Sequence, residues 1–439
     1  MDVRSQTEPR DGAHRRAPNA DERPRMRIAV FLETTQSQGG GFQQALSTVE
    51  SLAHGSSIKD DVVIFTPFEQ ARQLLLNEGV NAIRFKRGGF SLVDRWSASV
   101  AGHAILRRLR RLGFKRLGRH LDALLDDHEI DLVVLNECTE NASRIGDHPF
   151  IVTVWDLSHR DYPDFPEAYA DRNFERHDRS LRKSLTRALA VVANSPSGAR
   201  RIASLYQVDP GRIIELPFLP SLAVRRHAAG VRAATAEVVR RKYKLPTRYV
   251  FYPAFFYPLK NHLYLLEGLV ALERQYGIIL DVVLCGGGPP WQRSKVEQQV
   301  EALGLTERVH FLGWILDEDV PALYEGALAL VMPTYSGPTN LPPLEAVTLG
   351  CPVIYSDLPS FRDQMGDAAL YCDLGDVSSL ADHLAALIQD SALRERLQKA
   401  GRKLAAEVAK IDYGERLRPI LDKYAYVRRR WSWPKLPPR

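Results

Sequence analysis

Two features are scarce in this sequence: long apolar runs and cysteine. No stretch approaches the roughly 18 to 20 apolar residues that a membrane-spanning helix needs, and the N-terminus is polar and charged where a secretory signal would be apolar. We therefore expect a protein that folds in the cytoplasm. The cysteines lie far apart without a C-x-x-C pair, so the sequence indicates neither a zinc site nor a disulfide framework, and we expect reduced, mostly buried thiols. They are Cys138, Cys285, Cys351 and Cys372.

Positive charge exceeds negative charge only modestly, with a formal net charge of +6, but the positive residues are concentrated in a few segments. Residues 105–125 place leucines near one helical face and cations largely opposite, a pattern typical of a helix that rests on anionic lipid. The same leucines could face the domain core, with the cations merely solvated. From Tyr424 onward, aromatic residues alternate with cations and could make a second membrane contact. No helix-turn-helix, zinc-finger or RNA-binding signature is present, so we expect no nucleic-acid partner.

The length of 439 residues and an apolar content of 45% predict two or three domains with large cores. Short apolar runs alternate with longer helical patterns in two series, which predicts an α/β protein with two Rossmann-like, doubly wound parallel-sheet domains facing a central cleft. A charged, apolar-poor leader is predicted to be disordered. The predicted boundaries are 1–25 for the leader, 26–218 for the first domain, 219–247 for a linker with a helix near Val231 to Tyr243, 248–411 for the second domain and 412–439 for a C-terminal helix and basic aromatic tail.

Glycines follow two of the predicted strands. Ligands of open α/β sheets bind beyond the carboxyl ends of the strands, so these loops are candidate sites. Gly39, Gly40 and Gly41 precede a helix whose free N–H groups and dipole favour an anion, although a mobile turn is an equally good interpretation and the spacing is not that of G-x-G-x-x-G. Gly286 and Gly287 would let a nucleotide base and ribose approach the backbone closely, or would simply make a tight turn.

The stretch GPTNLPPLEAVTLGCPVIYSD, residues 337–357, joins a polar turn to a short helix and a buried strand. A turn that opens a helix directs unpaired N–H groups and the positive end of the helix dipole outward, which favours phosphate. Glu345, about one turn into the helix, would offer an acceptor-only carboxylate to a ribose diol. The alternative is an ordinary loop and helix with a surface glutamate.

This stretch resembles the nucleotide-sugar site of the retaining glycosyltransferases of family 4, which have the GT-B fold. The usual pattern in that family has two glutamates separated by seven residues. Glu345 matches the second, ribose-binding glutamate, and Gly337 stands where the first would be, as in the subgroup whose loop reads Gly-Pro-Thr-Asn. The resemblance implies that backbone amides and Thr339 or Asn340 replace the missing glutamate, and that Leu341 also contacts the donor.

The resemblance extends to two further loops. Lys260 and Asn261 match a lysine motif that would stabilise the diphosphate leaving group, whereas Phe255 stands where an arginine is usual. Without the resemblance, a lone lysine at a helix start is more often solvated. Related transferases carry a histidine that contacts the donor sugar after the strand FIVTV. We assign that role to His159, and Asp156 is close enough in sequence to orient its ring.

Taken over the chain, the resemblance implies transfer of a hexose from a nucleotide diphosphate sugar with retention of configuration. Catalytic roles are expected for Lys260, His159 and Asn340, and a glycine-rich loop would lie over the donor phosphates and the reacting sugar. The departing phosphate oxygen would take the acceptor proton, so that no protein base, cofactor or metal is expected. The partners implied are a nucleotide sugar donor and a glycan or glycolipid acceptor bound by the first domain, at the inner face of the cell membrane. Mannose is our guess for the sugar.

Two other functions remain open, and one acidic motif is not interpreted as a metal site. The chain could be a nucleotide-sugar epimerase of the same architecture, or a degenerate transferase that only binds a sugar nucleotide or carbohydrate, as the departures at Gly337 and Phe255 suggest. Asp317 to Asp319 superficially resembles a metal-binding Asp-x-Asp, but we interpret Asp317 as a helix N-cap. The helices after about Asp412 are predicted to cross back and brace the first domain.

Overall fold

The computed structural model contains two parallel β-sheets, each with helices on both faces. It describes residues 25–35, 39–55, 59–85, 120–138, 142, 144–231, 234–337 and 339–431. The predicted disordered leader and most of the basic segment 105–125 lie outside these ranges, and only the end of that segment is described, within the helix His120–Asp127. The predicted α/β architecture with two doubly wound sheets is confirmed.

The seven-stranded sheet and its helices form what we call the first lobe. Its strand order is β3-β2-β1-β4-β5-β6-β7, with every neighbouring pair parallel. The strands are β1 Arg27–Phe31, β2 Asp61–Thr66, β3 Ala82–Arg84, β4 Leu132–Leu135, β5 Phe150–Val154, β6 Ala190–Ala193 and β7 Ile213–Glu215. The helices are α1 Gly40–His54, α2 Glu69–Asn77, α3 His120–Asp127, α4 Ser158–Asp161, α5 Pro166–Tyr169, α6 Asn173–Arg187, α7 Pro196–Tyr206 and α8 Leu222–Ala228.

The six-stranded sheet and its helices form the second lobe. Its order is β10-β9-β8-β11-β12-β13, again parallel throughout. The strands are β8 Tyr249–Pro253, β9 Asp281–Cys285, β10 Val309–Gly313, β11 Ala329–Met332, β12 Val353–Ser356 and β13 Ala369–Cys372. The helices are α9 Ala236–Lys242, α10 His262–Tyr276, α11 Pro290–Ala302, α12 Val320–Gly326, α13 Leu341–Thr348, α14 Pro359–Met365, α15 Val377–Gln389, α16 Ser391–Val408 and α17 Tyr413–Trp431.

Burial on both faces explains why the strands are continuously apolar. In β1, Ile28 and Val30 belong to one core cluster, whereas Ala29 and Phe31 belong to another on the opposite face of the sheet. Side chains alternate between the two faces of a strand, so a strand covered by helices on both sides must be apolar at every position. The first of these clusters continues into the second lobe, where it includes Phe251.

The C-terminal helix α17 crosses back to the first lobe, as predicted. The Tyr413 hydroxyl donates to the Pro217 carbonyl at 2.7 Å and accepts from Gln44 Nε2 at 2.9 Å. Further along, the Tyr424 hydroxyl donates to the Asp131 carbonyl at 3.1 Å. The chain therefore enters the second lobe through the linker and returns to the first through α17, which ties the lobes together at two points.

The structure shows the state of the cysteines and whether any described helix could span a membrane. Three cysteines are buried, Cys138 is partly buried, and all four are free, as expected. Among the described residues, no helix combines the length and the apolar character needed to cross a bilayer.

Both sheets reverse their strand order at one position. β1 lies between β2 and β4 in the first sheet, and β8 lies between β9 and β11 in the second. Loops diverge at such a point and leave a crevice beyond the carboxyl ends of the strands. The glycine loop after β1 and the Lys260 loop after β8 both leave the sheet there.

Candidate functional site

The loops after five strands meet between the two lobes. Among the described residues, three hydrogen bonds run from this part of the first lobe to the second. The contacts are Ser158 Oγ to Ser336 Oγ at 2.6 Å, Leu259 N–H donating to Glu167 Oε1 at 3.0 Å, and Gln43 Nε2 donating to Asp317 Oδ2 at 2.8 Å. The carboxyl ends of the two sheets thus enclose one interlobe crevice.

Lys260 and Asn340 are brought together in this crevice, although 80 positions separate them. Lys260 ends the short 3₁₀ turn Pro258–Lys260, and its Nζ donates to Asn340 Oδ1 at 3.2 Å. Loss of solvent lowers the pKa of Lys260 to about 8, and the negative charges of Asp156 and Glu167 oppose that shift. At neutral pH the ammonium is therefore mostly protonated and partly desolvated, which suits it to bind an anion.

Asn340 is held by hydrogen bonds of both its side chain and its backbone. Only 8% of the residue is exposed, and its Nδ2 donates to the Tyr355 hydroxyl at 2.6 Å. Its backbone exchanges hydrogen bonds with the Gln364 amide, at 3.2 Å from the N–H and 2.7 Å to the carbonyl. Gly337 makes room for this arrangement, because a Cβ atom there would lie 2.7 Å from Asn340 Nδ2. The absence of glutamate at Gly337 is thus matched by an amide that fills the adjacent space.

Thr339 and Leu341 flank Asn340 at the start of α13. Thr339 Oγ1 is buried without a hydrogen-bond partner among the described residues. The first turn of α13 contains Pro342 and Pro343, which have no N–H, and the Asn340 N–H is already bonded. The Leu341 N–H is therefore the main backbone donor left for an anion. This helix start offers fewer free N–H groups to a phosphate than the sequence predicted.

Glu345 lies one turn into α13, as predicted, but its carboxylate is already engaged. Only 6% of the residue is exposed, Oε2 accepts from the Tyr324 hydroxyl at 2.9 Å, and Oε1 accepts from the Ser221 N–H at 3.3 Å. Burial raises the pKa of Glu345 above its ordinary value. The described contacts do not join it to Lys260 or Asn340, so a ribose would have to share this carboxylate with groups of the protein.

The glycines after β1 accommodate aromatic rings. A Cβ atom on Gly39, whose φ is +58°, would lie 2.7 Å from Phe255 Cε2, and one on Gly41 would lie 2.8 Å from Trp155 Cζ3. A Cβ atom on Gly40 would have no described atom within 4 Å, and Gly40 is exposed. The close approach of the two rings therefore explains two of the three glycines, and Gly40 offers the open backbone that a ligand could meet.

The glycines after β9 are required by the same aromatic residue and by backbone crowding. A Cβ atom on Gly287 would lie 3.2 Å from Phe255 Cε1, and one on Gly286, whose φ is +141°, would overlap the Ala254 carbonyl oxygen. The Phe255 ring, which also stacks on Tyr257 at 5.4 Å, is thus wedged between glycine loops of the two lobes. A neutral ring occupies the place where the resemblance suggests an arginine.

His159 is not brought to this cluster. It is 5% exposed, its Nε2 lies 3.3 Å from the Tyr206 hydroxyl, and burial lowers its pKa to about 4. Asp156 Oδ1 accepts from the Ser158 N–H at 2.8 Å, so it caps the turn and does not hydrogen-bond the imidazole. The described contacts of the ring lie inside the first lobe, while Ser158 beside it reaches the second lobe.

Sequence reasoning missed three first-lobe residues of the crevice. Trp155 directly follows β5 and contacts Gly41, and Ser158 forms a hydrogen bond with Ser336. Glu167 accepts from the Leu259 N–H, and its Oε2 is buried without a hydrogen-bond partner in the part of the chain that the structure describes. The position of Trp155, immediately after a buried strand, was a usable signal. Ser158 and Glu167 carried none, because their partners are far away in sequence.

The prediction that Asp317 is a helix N-cap is wrong, although the acidic first turn is present. Asp317–Asp319 forms a 3₁₀ turn, and α12 begins at Val320 without a side-chain cap. Asp317 accepts instead from Gln43 across the crevice, and burial raises its pKa. Within the described ranges, no group of three or more His, Cys, Asp or Glu residues is arranged to hold a metal ion.

Comparison with known proteins places these features in a family context. Residues 237–404, somewhat over a third of the chain, match the model of the family described as glycosyl transferases group 1. The chain is 29% identical over 231 residues to O-antigen chain mannosyltransferase B of Escherichia coli, covering 52% of this chain and 59% of that protein. It is 30% identical over 227 residues to D-inositol 3-phosphate glycosyltransferase of Salinispora arenicola, covering 49% and 50%. The chain thus spans little more than half the length of these relatives.

The whole fold is similar to those of solved proteins, two of which are described as glycosyltransferases. The Anabaena protein HepE, in complex with UDP and glucose, superposes with a TM-score of 0.64 over 91% of this chain and 100% of that one, at 16% identity. The predicted GT-B fold is confirmed by this likeness and by the two doubly wound sheets.

Proposed function

We propose that this chain is a retaining glycosyltransferase of family 4 that moves a hexose from a nucleotide diphosphate sugar to a polysaccharide or lipid-linked oligosaccharide. The observation that carries the proposal is the pairing of Lys260 with Asn340 in the interlobe crevice, where the Lys260 ammonium donates to Asn340 Oδ1 at 3.2 Å. Thr339, the residue before Asn340, has a buried hydroxyl without a hydrogen-bond partner among the described residues. The match of residues 237–404 to group 1 glycosyl transferases supports the same activity.

The chemistry follows from the charge that develops on the leaving diphosphate. Lys260 is placed to neutralise that charge, while the Leu341 N–H and the Thr339 hydroxyl offer further donors. The departing phosphate oxygen takes the acceptor proton on the same face, which retains the anomeric configuration without a protein base. Contacts between the lobes exclude water and position the acceptor. Because Lys260 supplies the positive charge, the proposal needs no metal ion or other cofactor.

Mannose is the sugar that we propose, and the acceptor is a cell-surface glycan. The support is the similarity to a mannosyltransferase of O-antigen chains, which covers about half of this chain. His159 keeps a proposed contact with the donor sugar only if its loop moves when ligand binds, since the ring now faces Tyr206. Trp155, which faces Gly41, is the better placed residue for that contact.

A second candidate is a protein that binds sugar nucleotides without turning them over. Phe255 favours it, because a ring stands where a second cation would stabilise the leaving group. Product analysis separates the possibilities. A transferase releases free nucleoside diphosphate and a glycosylated acceptor, an epimerase isomerises the donor sugar, and a binding protein gives a measurable affinity with no turnover across a broad acceptor panel.

A thermal-shift and calorimetric screen of nucleotide sugars tests the site itself. Ligand stabilisation grows with concentration over affinity, so the best donor raises the melting temperature most. We expect Lys260→Met to lose most of that shift, whereas Lys295→Met on the helix α11, which leaves the crevice intact, retains it. Equal shifts in both variants would contradict the assignment of Lys260.

We also propose peripheral association with the inner face of the cell membrane. One face of α17 is exposed and carries Lys423, Tyr426, Val427, Arg430 and Trp431, at the spacing i, i+3, i+4, i+7 and i+8. Trp431 is 79% exposed and Tyr426 54%. Cations interleaved with aromatic side chains suit an anionic lipid surface. Sedimentation with anionic vesicles should fall in Trp431→Ala, and binding that is equal on neutral vesicles would contradict the charge argument.

A further inference from the structure

Glu167 connects the first lobe to the loop that carries Lys260. It lies on the short helix α5 of the first lobe, and its Oε1 accepts from the Leu259 N–H at 3.0 Å. Its Oε2 is buried and has no hydrogen-bond partner among the described residues. A buried carboxylate oxygen without a partner is costly unless a nearby cation or a ligand compensates for it.

Lys260, the residue next to Leu259, is the cation on which the charge of Glu167 acts. Glu167 is close enough for its charge to favour the protonated form of Lys260. The other groups that face Lys260 are Asp156 on the loop after β5, Asn340 on the loop after β11, and His262 at the start of α10, whose pKa burial and Lys260 lower to about 3. Two first-lobe carboxylates and one neutral imidazole therefore interact electrostatically with the ammonium, and one amide accepts a hydrogen bond from it.

The same part of the first lobe also contacts the loop that carries Asn340. Phe165 packs against Tyr335 with ring centroids 5.4 Å apart, and Ser158 Oγ lies 2.6 Å from Ser336 Oγ. We call residues 158–167 the clasp, because this one segment touches both phosphate-facing loops of the second lobe. The lobes cannot separate at this edge without breaking the contacts that fix the Lys260 loop.

We propose that Glu167 is a positioning residue that couples contact between the lobes to the placement of Lys260. Its Oε1 fixes the turn before Lys260, and its unpartnered Oε2 balances the ammonium until the diphosphate of the donor replaces it. When the clasp opens, Glu167 moves away from the second lobe. The turn before Lys260 then loses its hydrogen bond and Lys260 loses the nearby negative charge, which favours product release. The proposal rests on the proposed function in one respect, that the anion bound by Lys260 is a nucleoside diphosphate.

Two substitutions separate the parts of this role. Glu167→Gln keeps an oxygen that can accept from the Leu259 N–H but removes the charge, and Glu167→Ala removes both. Glu175→Gln is the matched control, since Glu175 is an exposed carboxylate in the first turn of α6 in the same lobe. All three are compared with wild type in the full-length protein.

The first measurement is calorimetric binding of UDP and GDP from neutral to alkaline pH. A negative charge beside an ammonium raises its pKa, so we expect the pH at which affinity falls to drop by roughly one unit in Glu167→Gln and Glu167→Ala. Glu175→Gln should match wild type. A purely structural role for Glu167 would lower affinity equally at every pH and leave that midpoint in place, which would overturn the proposal.

The second measurement is amide hydrogen exchange in the ligand-free protein. We expect exchange at Leu259 and Lys260 to accelerate in Glu167→Ala, to change little in Glu167→Gln, and to be unaffected in Glu175→Gln. Unchanged exchange in Glu167→Ala would overturn the positioning role. If wild type binds neither nucleotide, the proposed function fails, while the exchange rates still decide whether Glu167 fixes this turn.

Discussion

Replacement of Gly337 by alanine tests the contact between the Gly337 backbone and the Asn340 side chain. The φ angle of Gly337 is +125°, a region that residues with a Cβ atom rarely adopt. The new Cβ atom would lie 2.7 Å from Asn340 Nδ2 and 3.1 Å from its Oδ1. The substitution therefore strains the backbone and displaces the amide that bonds Lys260 and Tyr355.

The magnitude can be worked out from these two effects. Backbone strain in such a region costs about 1–3 kcal/mol. Weakening of the bonds from Asn340 to Lys260 and to Tyr355 adds on the order of 1–2 kcal/mol, because each is a modest net contribution that solvent partly replaces. We expect Gly337→Ala to lower the free energy of unfolding by roughly 2–5 kcal/mol. Gly304→Ala is the matched control, since its φ is +70° but nothing lies within 4 Å, and it should cost only about 1 kcal/mol.

Chemical denaturation measures the free energy of unfolding of the two variants. Calorimetry with UDP or GDP measures their nucleotide affinity. Each kcal/mol corresponds to a melting temperature shift of roughly 2–4 °C in a lobe of this size. We expect nucleotide affinity to fall in Gly337→Ala and to stay unchanged in Gly304→Ala. If both variants lose the same stability and bind nucleotide as wild type does, the reasoning about the Gly337 to Asn340 contact is wrong.

Three further outcomes follow from the same geometry. Tyr324→Phe leaves the buried Glu345 carboxylate with one donor fewer, so denaturation should show a loss of about 1.5–3 kcal/mol, and an unchanged value would refute the role of that hydroxyl. Nucleoside diphosphate affinity should weaken as pH rises through about 8, because Lys260 then loses the proton that attracts phosphate, and a flat profile to higher pH would contradict this. Gly286→Ala should sharply reduce the folded yield judged by circular dichroism, whereas Gly40→Ala, with open space around it, should not.

The fold could be predicted from the sequence because its signals are local. Strands such as β4, Leu132–Leu135, are buried at every position, and the alternation with helices follows directly from a parallel sheet covered on both faces. The crossing of α17 to the first lobe was also predicted. Element ends were less certain, as the linker helix shows: it spans only Ala236–Lys242.

The site was predictable where a motif places a residue next to a strand end. Lys260 and Asn340 each follow a strand, and the structure brings their side chains to 3.2 Å. His159 shows the limit of this reasoning, because a four-residue helix after β5 turns its ring towards Tyr206. The direction of a side chain within a short helix depends on packing that adjacent residues do not reveal.

Long-range partners could not be predicted at all. Ser221 reaches Glu345 across 124 positions, and Glu167 reaches Leu259 across 92. The role of the glycines could not be predicted either. A glycine at position 39 or 287 could make room for a ligand or for an aromatic side chain of the protein. Only the coordinates show that both accommodate Phe255.

The central claim is that the loops after β8 and β11 bind the diphosphate of a nucleotide sugar. The most direct test is a crystal structure of the protein with UDP or GDP bound. Our account predicts the diphosphate within hydrogen-bond distance of Lys260 Nζ and of Thr339 Oγ1 or the Leu341 N–H. A nucleotide seated elsewhere, with the bond between Lys260 and Asn340 undisturbed and Thr339 still without a partner, would contradict it.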